Sequence, residues 1–384
     1  MTRKEILEHT LRGKPSGTIP AAPLYMGLYC EPIRRRKMAE VLREMAAGRE
    51  TMHLSFEDHL EAELEAWART WQQFDTPPDW MRCKFGTSRT AAEGSTVTVT
   101  ENECIWESAD GSREINYGVE YDATAGSSVD VWDKDVTINT DDDIKALVPV
   151  REAEQCIGDG QAEFIQRAID RWSDDFLLKC NTGTPFWGGY SLFGFAGLMH
   201  MLHDSPEILS KVFQRVMQAR LSVIRAYYEA GLRCLFVEEC LTGSDIISVD
   251  DYERLAWPFM RDMLAAAVDM GFVVVFYHTG AIEGRLPFLS RCPAHAVAFE
   301  EEKKTINIDL AEIRDAVGPQ KAIYGNLDVT ALRDASKDAI TAEIARQKET
   351  AGEPFVASVG SPVTLDTPPH RVSWIAEAAR EISR

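Results

Sequence analysis

The second half of the chain alternates short apolar runs with helical patterns, and this rhythm limits the possible folds more than any other feature. The apolar runs, which have the composition of strands buried on both faces, are residues 176–179, 235–237, 272–276, 296–299, 322–324 and 355–359. The helical patterns are residues 161–172, 205–230, 251–270, 309–317 and 336–351. Regular alternation implies parallel strands joined by right-handed crossovers. No strand leads into a GxGxxG or GxxxxGK(S/T) turn, so we predict an α/β fold of the (β/α)8 TIM-barrel type rather than an open nucleotide-binding sheet.

The first half supplies the start of the barrel and a separate β-rich region. We predict the first strand at residues 18–26, followed by helices at 31–47 and 57–73. From residue 94 to residue 133, alternating runs such as TVTVT and intervening turn residues predict an antiparallel β insertion. Such an insertion either decorates the barrel or covers the substrate as a lid. Residues 1–384 are therefore predicted to form one barrel domain with this insertion.

Charge and composition narrow the class of protein. A formal net charge of -20 argues against nucleic-acid binding, because Lys and Arg must neutralise the phosphates there. The one basic run, residues 34–37, is more typical of a solvated helix face than of a phosphate clamp, although an anionic substrate can use it. The N-terminal MTRKEILEHTLRGK lacks the apolar run that a signal peptide or membrane span needs, so we expect a cytoplasmic protein that binds no membrane. Eight scattered cysteines without a CxxC pair are typical of reduced thiols.

The reactive side chains of an α/β barrel lie just after each strand, at the face where loops lead into helices. This rule yields the candidates Cys180, Asn181, a Gly-rich aromatic loop at 183–190, Glu238, Glu239, Tyr277, His278, Glu300, Glu301, Asn326, Asp328 and Ser361. Because neighbours alternate along a strand, only one of Glu238 and Glu239 should face the barrel axis, and the same holds for Glu300 and Glu301. Carboxylates beside an imidazole suit either a divalent metal or proton transfer by a carboxyl group of raised pKa.

Each candidate also has a purely structural interpretation. His278 can be a satisfied structural histidine, Glu239 can cap a nearby helix, and Asp328 can be an N-cap. Residues 300–304, EEEKK, are typical of a solvated charge run. The aromatic side chains between residues 186 and 195 either pack in the core or form a wall beside a ligand, which the neighbouring glycines allow to approach.

Several motifs, taken in their order along the chain, resemble those of the uroporphyrinogen decarboxylase superfamily. They are ILEHTLRGKPSGTIPAAP near the N-terminus, an acidic residue before SDIIS, His278-Thr279-Gly280, GNLD at 325–328 and GSPVTLDTP at 360–368. The resemblance covers nearly the whole chain outside the β insertion. It implies an α/β barrel that either decarboxylates a tetrapyrrole or moves a methyl group among a donor, a corrinoid and a thiol, so the reaction stays open.

This sequence departs from both branches of the superfamily. The true decarboxylase carries an arginine-rich signature after its first strand and a histidine in its late glycine-led motif. Here the corresponding residues are YMGLY at 25–29 and GSP at 360–362, so a polycarboxylated tetrapyrrole loses its expected partners. The thiol-activating methyltransferases hold zinc with a His-x-Cys pair and a late Cys. This chain keeps His278 but has Gly280 and Ser361 at the cysteine positions, which makes a thiol acceptor such as coenzyme M a poor fit.

The pattern favours an enzyme that passes a methyl group from a small methylated substrate to a corrinoid (cobalamin), in other words a methyltransferase or demethylase. The corrinoid is expected on a separate carrier protein, because the chain shows no DxHxxG-type cobalamin segment. The leaving atom must be protonated or bound to a Lewis acid as the methyl group departs. The predicted catalytic residues are Glu239, His278 and Asp328. The predicted ligands of a divalent metal such as zinc are His278, Glu239 and Glu300. The predicted substrate-binding residues are Asn181, Trp187, Tyr190, Phe193, Tyr277, Asn326 and Ser361.

Two other functions remain open. A cofactor-free decarboxylase of a tetrapyrrole-like or small carboxylate substrate would use Glu239 or Asp328 as proton donor, and release of carbon dioxide would identify it. A non-catalytic barrel would bind its ligand without turnover. Long apolar helices such as 205–230 allow a homodimer, although a monomeric barrel buries the same faces.

Overall fold

A curled sheet of parallel strands lies at the centre of the molecule, which the computed structural model describes for residues 1–14, 16–108, 113–117, 136–302 and 306–383. The strands are β1 (Thr51–His53), β2 (Trp80–Arg82), β3 (Thr96–Val99), β4 (Glu103–Glu107), β5 (Arg113–Tyr117), β6 (Leu177–Gly183), β7 (Cys234–Glu239), β8 (Val273–His278), β9 (Ala296–Phe299), β10 (Ala322–Tyr324) and β11 (Phe355–Val356). Within the described residues, the central sheet has seven parallel strands in the order β11-β10-β9-β8-β7-β6-β2. Each of these strands pairs with the next strand of the sheet along the chain, which is the arrangement found in a TIM-type barrel.

Helices alternate with the strands of the central sheet. They are α1 (Arg3–Leu11), α2 (Met26–Ala46), α3 (Phe56–Trp71), α4 (Arg89–Glu93), α5 (Asp141–Leu147), α6 (Ala153–Ile157), α7 (Glu163–Trp172), α8 (Pro185–Asp204), α9 (Pro206–Glu229), α10 (Val249–Asp251), α11 (Trp257–Asp269), α12 (Leu286–Leu289), α13 (Leu310–Val317), α14 (Val329–Asp334), α15 (Lys337–Ala351) and α16 (Pro369–Ile382). A π-helical turn, Tyr252–Ala256, joins α10 to α11. The bounds of α13 and α15 nearly match the prediction, because Asp309 and Ser336 cap their first turns.

Residues 20–22 close the sheet into a barrel by lying between its two edge strands. On one side, Ala21 forms a parallel bridge with Ala357, and the Ala22 amide donates to the Ala357 carbonyl at 2.9 Å. On the other side, the Asp79 amide, just before β2, donates to the Ala21 carbonyl at 2.8 Å. The predicted α/β barrel is therefore confirmed, with this N-terminal segment completing the ring of the described strands.

The closing segment is shorter than the strand predicted at residues 18–26. Pro20 and Pro23 have no amide hydrogen to donate, which limits how far a strand can extend here. Tyr25 then adopts the left-handed conformation with φ 55° and turns the chain directly into α2, which begins at Met26 instead of residue 31.

The predicted antiparallel insertion is present as a separate sheet. Its order in the described part of the chain is β1-β3-β4-β5, and every pair is antiparallel. Residues 109–112 and 118–133 of the predicted range lie outside the described residues. The inner face of the sheet carries Val97 and Cys104, which pack in one cluster with Leu42 of α2. The insertion is thus anchored on the helix that follows the closing segment.

Arg34 of α2 forms a second link to the antiparallel sheet. Its side chain is 1% exposed and makes ion pairs with Glu31 at 2.7 Å, Glu63 at 3.1 Å and Glu114 of β5 at 3.2 Å. Because three carboxylates already surround it, Arg34 does not offer a free charge to an anionic substrate. The basic run at residues 34–37 therefore contributes at least one residue to structure instead of to a solvated face.

Large aromatic side chains fill the barrel axis. The ring centroids of Trp80 on β2 and Tyr324 on β10 are 5.5 Å apart, and those of Trp80 and Phe236 on β7 are 5.9 Å apart. These strands are not neighbours in the sheet, so their side chains can meet only through the barrel interior. The contacts identify which alternate residues of each strand face the axis.

In the part of the chain that the structure describes, no helix has both the length and the apolar character needed to cross a bilayer. The cysteines are free, and Cys240 is the one of the eight that is not fully buried.

Candidate active site

Consecutive side chains at the end of β7 lie on opposite faces of the sheet. Phe236 packs on the axis against Tyr25 and Tyr277, with ring centroids 5.9 Å away in each case. Glu238 comes two residues later and so lies on the same face. Burial raises the pKa of Tyr25 well above its ordinary value, and the neighbouring Cys240 and Glu238 raise it further. We call this set of axis-facing side chains, Tyr25, Lys179, Asn181, Glu238 and Tyr277, the axial chamber.

Lys179 of β6 places a buried amine in the axial chamber. Its Nζ lies 4.2 Å from the ring centroid of Trp80 and 4.3 Å from that of Phe236, and it donates to Asn181 Oδ1 at 2.9 Å. Burial, with the charge of Arg82 beside it, lowers the pKa of Lys179 from 10.5 to about 7. An amine that is half protonated near neutral pH can both give and accept a proton.

The aromatic wall of the chamber is fixed by hydrogen bonds. The Tyr277 hydroxyl donates to the Gly360 carbonyl at 2.6 Å, and the Tyr25 hydroxyl lies 3.6 Å from Cys240 Sγ. The rings of Tyr25 and Tyr277 meet edge to face with centroids 5.4 Å apart. These contacts hold apolar ring surface at the C-terminal ends of the strands, where barrel enzymes bind their substrates.

Arg82 adds a second cation close to Lys179. It ends β2 on the same face as Trp80. Its Nε is buried and has no hydrogen-bond partner among the described residues. The first turn of α2 packs against it so closely that a Cβ on Gly27 would lie 2.6 Å from Arg82 Cδ. The chamber therefore combines the Glu238 carboxylate with two cationic side chains.

Glu239, a predicted catalytic residue, lies on the opposite face from the axial chamber. Its Oε2 accepts from the hydroxyl of Thr184, the N-cap residue of α8, and its Oε1 accepts from the Leu241 amide at 3.0 Å. Burial raises the pKa of Glu239 to about 7, although these hydrogen bonds oppose the shift. The structure thus turns Glu238, instead of Glu239, towards the axis, and a catalytic role for Glu239 stays a prediction.

His278 shares the face of Glu239, because the two residues pair directly across β7 and β8. Its ring centroid lies 6.4 Å from that of Tyr252 in the π-helical turn. Burial and the charge of Arg285 lower the pKa of His278 to about 4, so its ring is neutral at pH 7. Within the described part of the chain, neither ring nitrogen makes a hydrogen bond of good geometry, but the backbone of Ala281 interacts with the ring and opposes the lowering of its pKa.

The predicted metal ligands do not assemble into one set. Glu300 Oε2 accepts from the Gly280 amide at 2.9 Å, so it is already engaged beside Gly280, one of the two positions where the sequence resemblance implied a cysteine. No group of three or more His, Cys, Asp or Glu side chains is arranged to hold a metal ion in residues 1–14, 16–108, 113–117, 136–302 and 306–383. The residues present therefore do not fit the expected zinc site. A divalent metal stays a prediction, and elemental analysis of the purified protein tests it.

The predicted substrate-binding residues fall into separate places. Asn181 and Tyr277 line the axial chamber, as described above. Asn326 instead joins two strands, because its Nδ2 donates to the Glu300 carbonyl at 3.0 Å. Ser361 is buried beside Gly360, whose carbonyl accepts from Tyr277, so it lies one residue from the chamber wall.

The predicted aromatic loop at residues 183–190 is a helix. Thr184 caps it and Pro185 begins it, a favourable pair for starting α8. Trp187 packs on the end of β6, where a Cβ on Gly183 would lie 2.5 Å from its ring, and its ring centroid is 4.8 Å from that of Tyr190. Phe193 is buried in the main core. Trp187, Tyr190 and Phe195 are thus the aromatic residues between 186 and 195 that remain partly exposed.

Asp328, the third predicted catalytic residue, caps α14. Its carboxylate accepts from the Thr330 amide at 2.6 Å, and its side chain is exposed. This is the structural interpretation that the sequence offered for it. A catalytic role for Asp328 stays a prediction.

Lys179, Arg82 and Tyr25 were not among the predicted site residues. Lys179 could have been predicted from the sequence, because it lies two residues before the candidate Asn181 on the same strand and so shares its face. Arg82 belongs to a three-residue strand with no apolar run to mark it, and Tyr25 follows the shortened first strand.

Comparison with known proteins identifies the family. The family model described as Uroporphyrinogen decarboxylase (URO-D) matches residues 117–382. A uroporphyrinogen decarboxylase of Syntrophotalea carbinolica is 26% identical over 192 residues, and the chloroplastic uroporphyrinogen decarboxylase 2 of Arabidopsis thaliana is 24% identical over 230 residues. These matches cover 50% and 57% of this chain, which spans only 53% and 56% of the relatives' own length. A methyltransferase from Methanosarcina mazei shares the fold with a TM-score of 0.62 over 99% of both chains, at 15% identity. The chain therefore belongs to the uroporphyrinogen decarboxylase family.

Proposed function

We propose that this chain is a methyltransferase that removes a methyl group from a small methylated substrate and passes it to a corrinoid on a separate carrier protein. The observation that carries the proposal is the axial chamber itself. Its walls are aromatic, and it places the Glu238 carboxylate near the buried amine of Lys179. As a methyl group leaves an oxygen or nitrogen, that atom gains negative charge and must be protonated.

Lys179 is the group that can supply this proton. Its pKa of about 7 keeps a large share of the amine protonated at neutral pH while making the proton easy to release. Glu238 favours the protonated form of the amine by its charge. Asn181, which accepts a hydrogen bond from Lys179 Nζ, orients the amine. A reduced corrinoid on the carrier supplies the nucleophile that accepts the methyl group.

The start of α2 supports a small substrate over a polycarboxylated tetrapyrrole. The family's arginine-rich signature is replaced here by a segment whose Tyr25 ring forms part of the chamber wall. The nearest arginine run begins with Arg34, which is saturated by three glutamates. A ligand with many carboxylates would find few unpaired cations at this side of the mouth.

A decarboxylase is the second candidate, and two observations favour it. The curated relatives named above are uroporphyrinogen decarboxylases. Arg82 and Lys179 lie close enough for the charge of one to lower the pKa of the other, so together they can hold a carboxylate of a small acid. Lys179 would then protonate the carbon that carbon dioxide leaves.

One pair of assays separates the two candidates. The purified chain is incubated with methoxylated, methylamine and methylthio compounds and a reduced corrinoid carrier protein, and methylation of the corrinoid is followed by its absorption spectrum. In parallel, uroporphyrinogen and small carboxylates are tested for release of carbon dioxide. Corrinoid methylation that disappears in Lys179→Met supports the proposal. Carbon dioxide release with no corrinoid methylation replaces it with the decarboxylase, and binding without any turnover leaves a ligand-binding barrel.

A further inference from the structure

A cluster of buried polar atoms lies behind β7 and β8, on the face away from the axial chamber. The side chains of Thr242, Tyr252, His278 and Arg285 are each 0% exposed. The Thr242 hydroxyl, the Tyr252 hydroxyl and Arg285 Nη1 have no hydrogen-bond partner among the described residues. A buried polar group without a partner is unfavourable, so several of them together indicate a bound partner that the protein itself does not supply.

The four residues lie close together, with Thr242 linked through its backbone carbonyl. Arg285 Nε donates to the Thr242 carbonyl at 2.9 Å, and the Arg285 guanidinium lies 4.4 Å from the ring centroid of Tyr252. The Tyr252 ring in turn faces the His278 ring edge-on at 6.4 Å. Tyr252 begins a π-helical turn, a feature that often marks functional sites.

The charge of Arg285 is not neutralised by a direct ion pair. No carboxylate in the described part of the chain lies within 4.0 Å of its guanidinium nitrogens. Asp245 acts on it from farther away, but Asp245 Oδ1 is engaged by the Ala281 amide at 2.9 Å. The Tyr252 ring and the carbonyls of Thr242 and Ile247 offset part of the charge. A buried cation without a counter-charge is unfavourable.

We infer that this cluster binds a small monovalent anion, of halide chemistry. The unpartnered groups of Arg285, Tyr252 and Thr242 are an N–H and two O–H groups, which can all donate. Donors near a guanidinium that has no direct ion pair favour an acceptor that carries negative charge, against the opposing charge of Glu239, which also acts on Tyr252. The burial of every member favours a small ion over a larger anion, and chloride is the common one. The anion would hold the Arg285 side chain and the π-helical turn against the end of β8.

The inference does not depend on the proposed reaction, because the cluster lies on the helix side of the sheet. Its first test is a crystal structure of protein purified and crystallised in sodium bromide, with anomalous diffraction at the bromine edge. An anomalous peak in contact with Arg285 Nη1 and the Tyr252 hydroxyl is expected. A water molecule there, with no anomalous signal, would overturn the inference.

Thermal unfolding supplies a second test in solution. At constant ionic strength, replacing gluconate by chloride should raise Tm by about 1–2 °C, because the ion binds the folded state alone and a chain of 384 residues unfolds with a large entropy. In Tyr252→Phe and Thr242→Val this rise should fall by at least about half. Tyr324→Phe is the matched control, because Tyr324 also buries a hydroxyl without a partner among the described residues but lies on the barrel axis. A rise that is equal in all variants, or absent in the wild type, contradicts an anion at this site.

Discussion

Glu238 and Glu239 are consecutive residues at the end of β7, yet they serve opposite faces of the sheet. Glu238 lies on the axial face with Phe236, where its charge acts on Lys179 and Tyr25. Glu239 accepts from the Thr184 hydroxyl at the start of α8 and is fully buried. The two carboxylates can therefore be tested separately, one for chemistry and one for stability.

Glu238→Gln should lower kcat, but by less than the about 10²–10⁴-fold expected for loss of the proton donor itself. The substitution keeps the size of the side chain but removes the charge that favours protonated Lys179. Corrinoid methylation, or carbon dioxide release if that is the reaction found, provides the rate. The control is Glu253→Gln, which changes an exposed carboxylate in the π-helical turn. An unchanged kcat in Glu238→Gln would remove Glu238 from the mechanism.

Glu239→Gln should change how stability depends on pH. Burial raises the pKa of Glu239 from 4.5 to about 7, so the folded protein holds this proton more tightly than the unfolded chain does. Its contribution to stability is therefore fully present below pH 4.5 and is lost as the pH rises through about 7, a change on the order of 3 kcal/mol. Urea unfolding of both proteins across this window gives the difference. Parallel curves for wild type and variant would show that Glu239 is not buried as a neutral acid.

The strands of the second half could be predicted because both of their faces are buried. Val273 to Phe276 of β8 and Ala296 to Phe299 of β9 form unbroken apolar runs, which distinguish them from the amphipathic helices between them. β2 gave no such signal, since its three residues end in Arg82. The strand predicted around the closing segment at 20–22 was too long, because the sequence does not show that the chain turns at Tyr25.

The same burial explains why the candidate site was only partly predictable. Alternation correctly requires one of two adjacent glutamates to face the axis. The sequence does not show which one, because the preceding residues Leu235, Phe236 and Val237 are all apolar, so both faces of the strand look alike. Only contacts between distant strands, such as Trp80 with Phe236, settle it. The Lys179 amine was missed because a lysine in an apolar strand is unusual without a tertiary partner such as these rings.

Lys179→Met should abolish activity. It should also remove a pH dependence of folding stability whose sign is opposite to that contributed by Glu239. The pKa of Lys179 falls from 10.5 in the unfolded chain to about 7 in the folded protein, so folding favours the neutral amine. Its contribution to stability is therefore present above pH 10.5 and is lost as the pH falls through about 7. Unfolding curves between these values should rise with pH more steeply in the wild type than in Lys179→Met.

The activity of Lys179→Arg separates a proton donor from a fixed charge. Arginine keeps the positive charge but stays protonated at every pH used, so it cannot release a proton. If Lys179 donates a proton, the variant loses turnover and the limb of the rate profile near pH 7 disappears. If Lys179 only holds a negative group, Lys179→Arg retains much of the rate and Lys179→Met does not.

Arg34→Met should destabilise the protein by about 3 kcal/mol, because it leaves three carboxylates crowded together without their shared cation. Glu63 would be left closest to apolar surroundings, since its side chain is 14% exposed while those of Glu31 and Glu114 are 32% and 34% exposed. Since Glu114 belongs to β5, amide hydrogen exchange in β3, β4 and β5 should speed up more than exchange in the barrel strands. Arg36→Met is the control, since Arg36 lies two residues away on the same helix and is exposed.

The double variant Arg34→Met with Glu114→Gln should recover part of the lost stability, since it relieves one of the unpaired charges. If Arg34→Met is no less stable than Arg36→Met, or if exchange rises equally in the barrel strands, the ion-pair cluster does not hold the antiparallel sheet on α2.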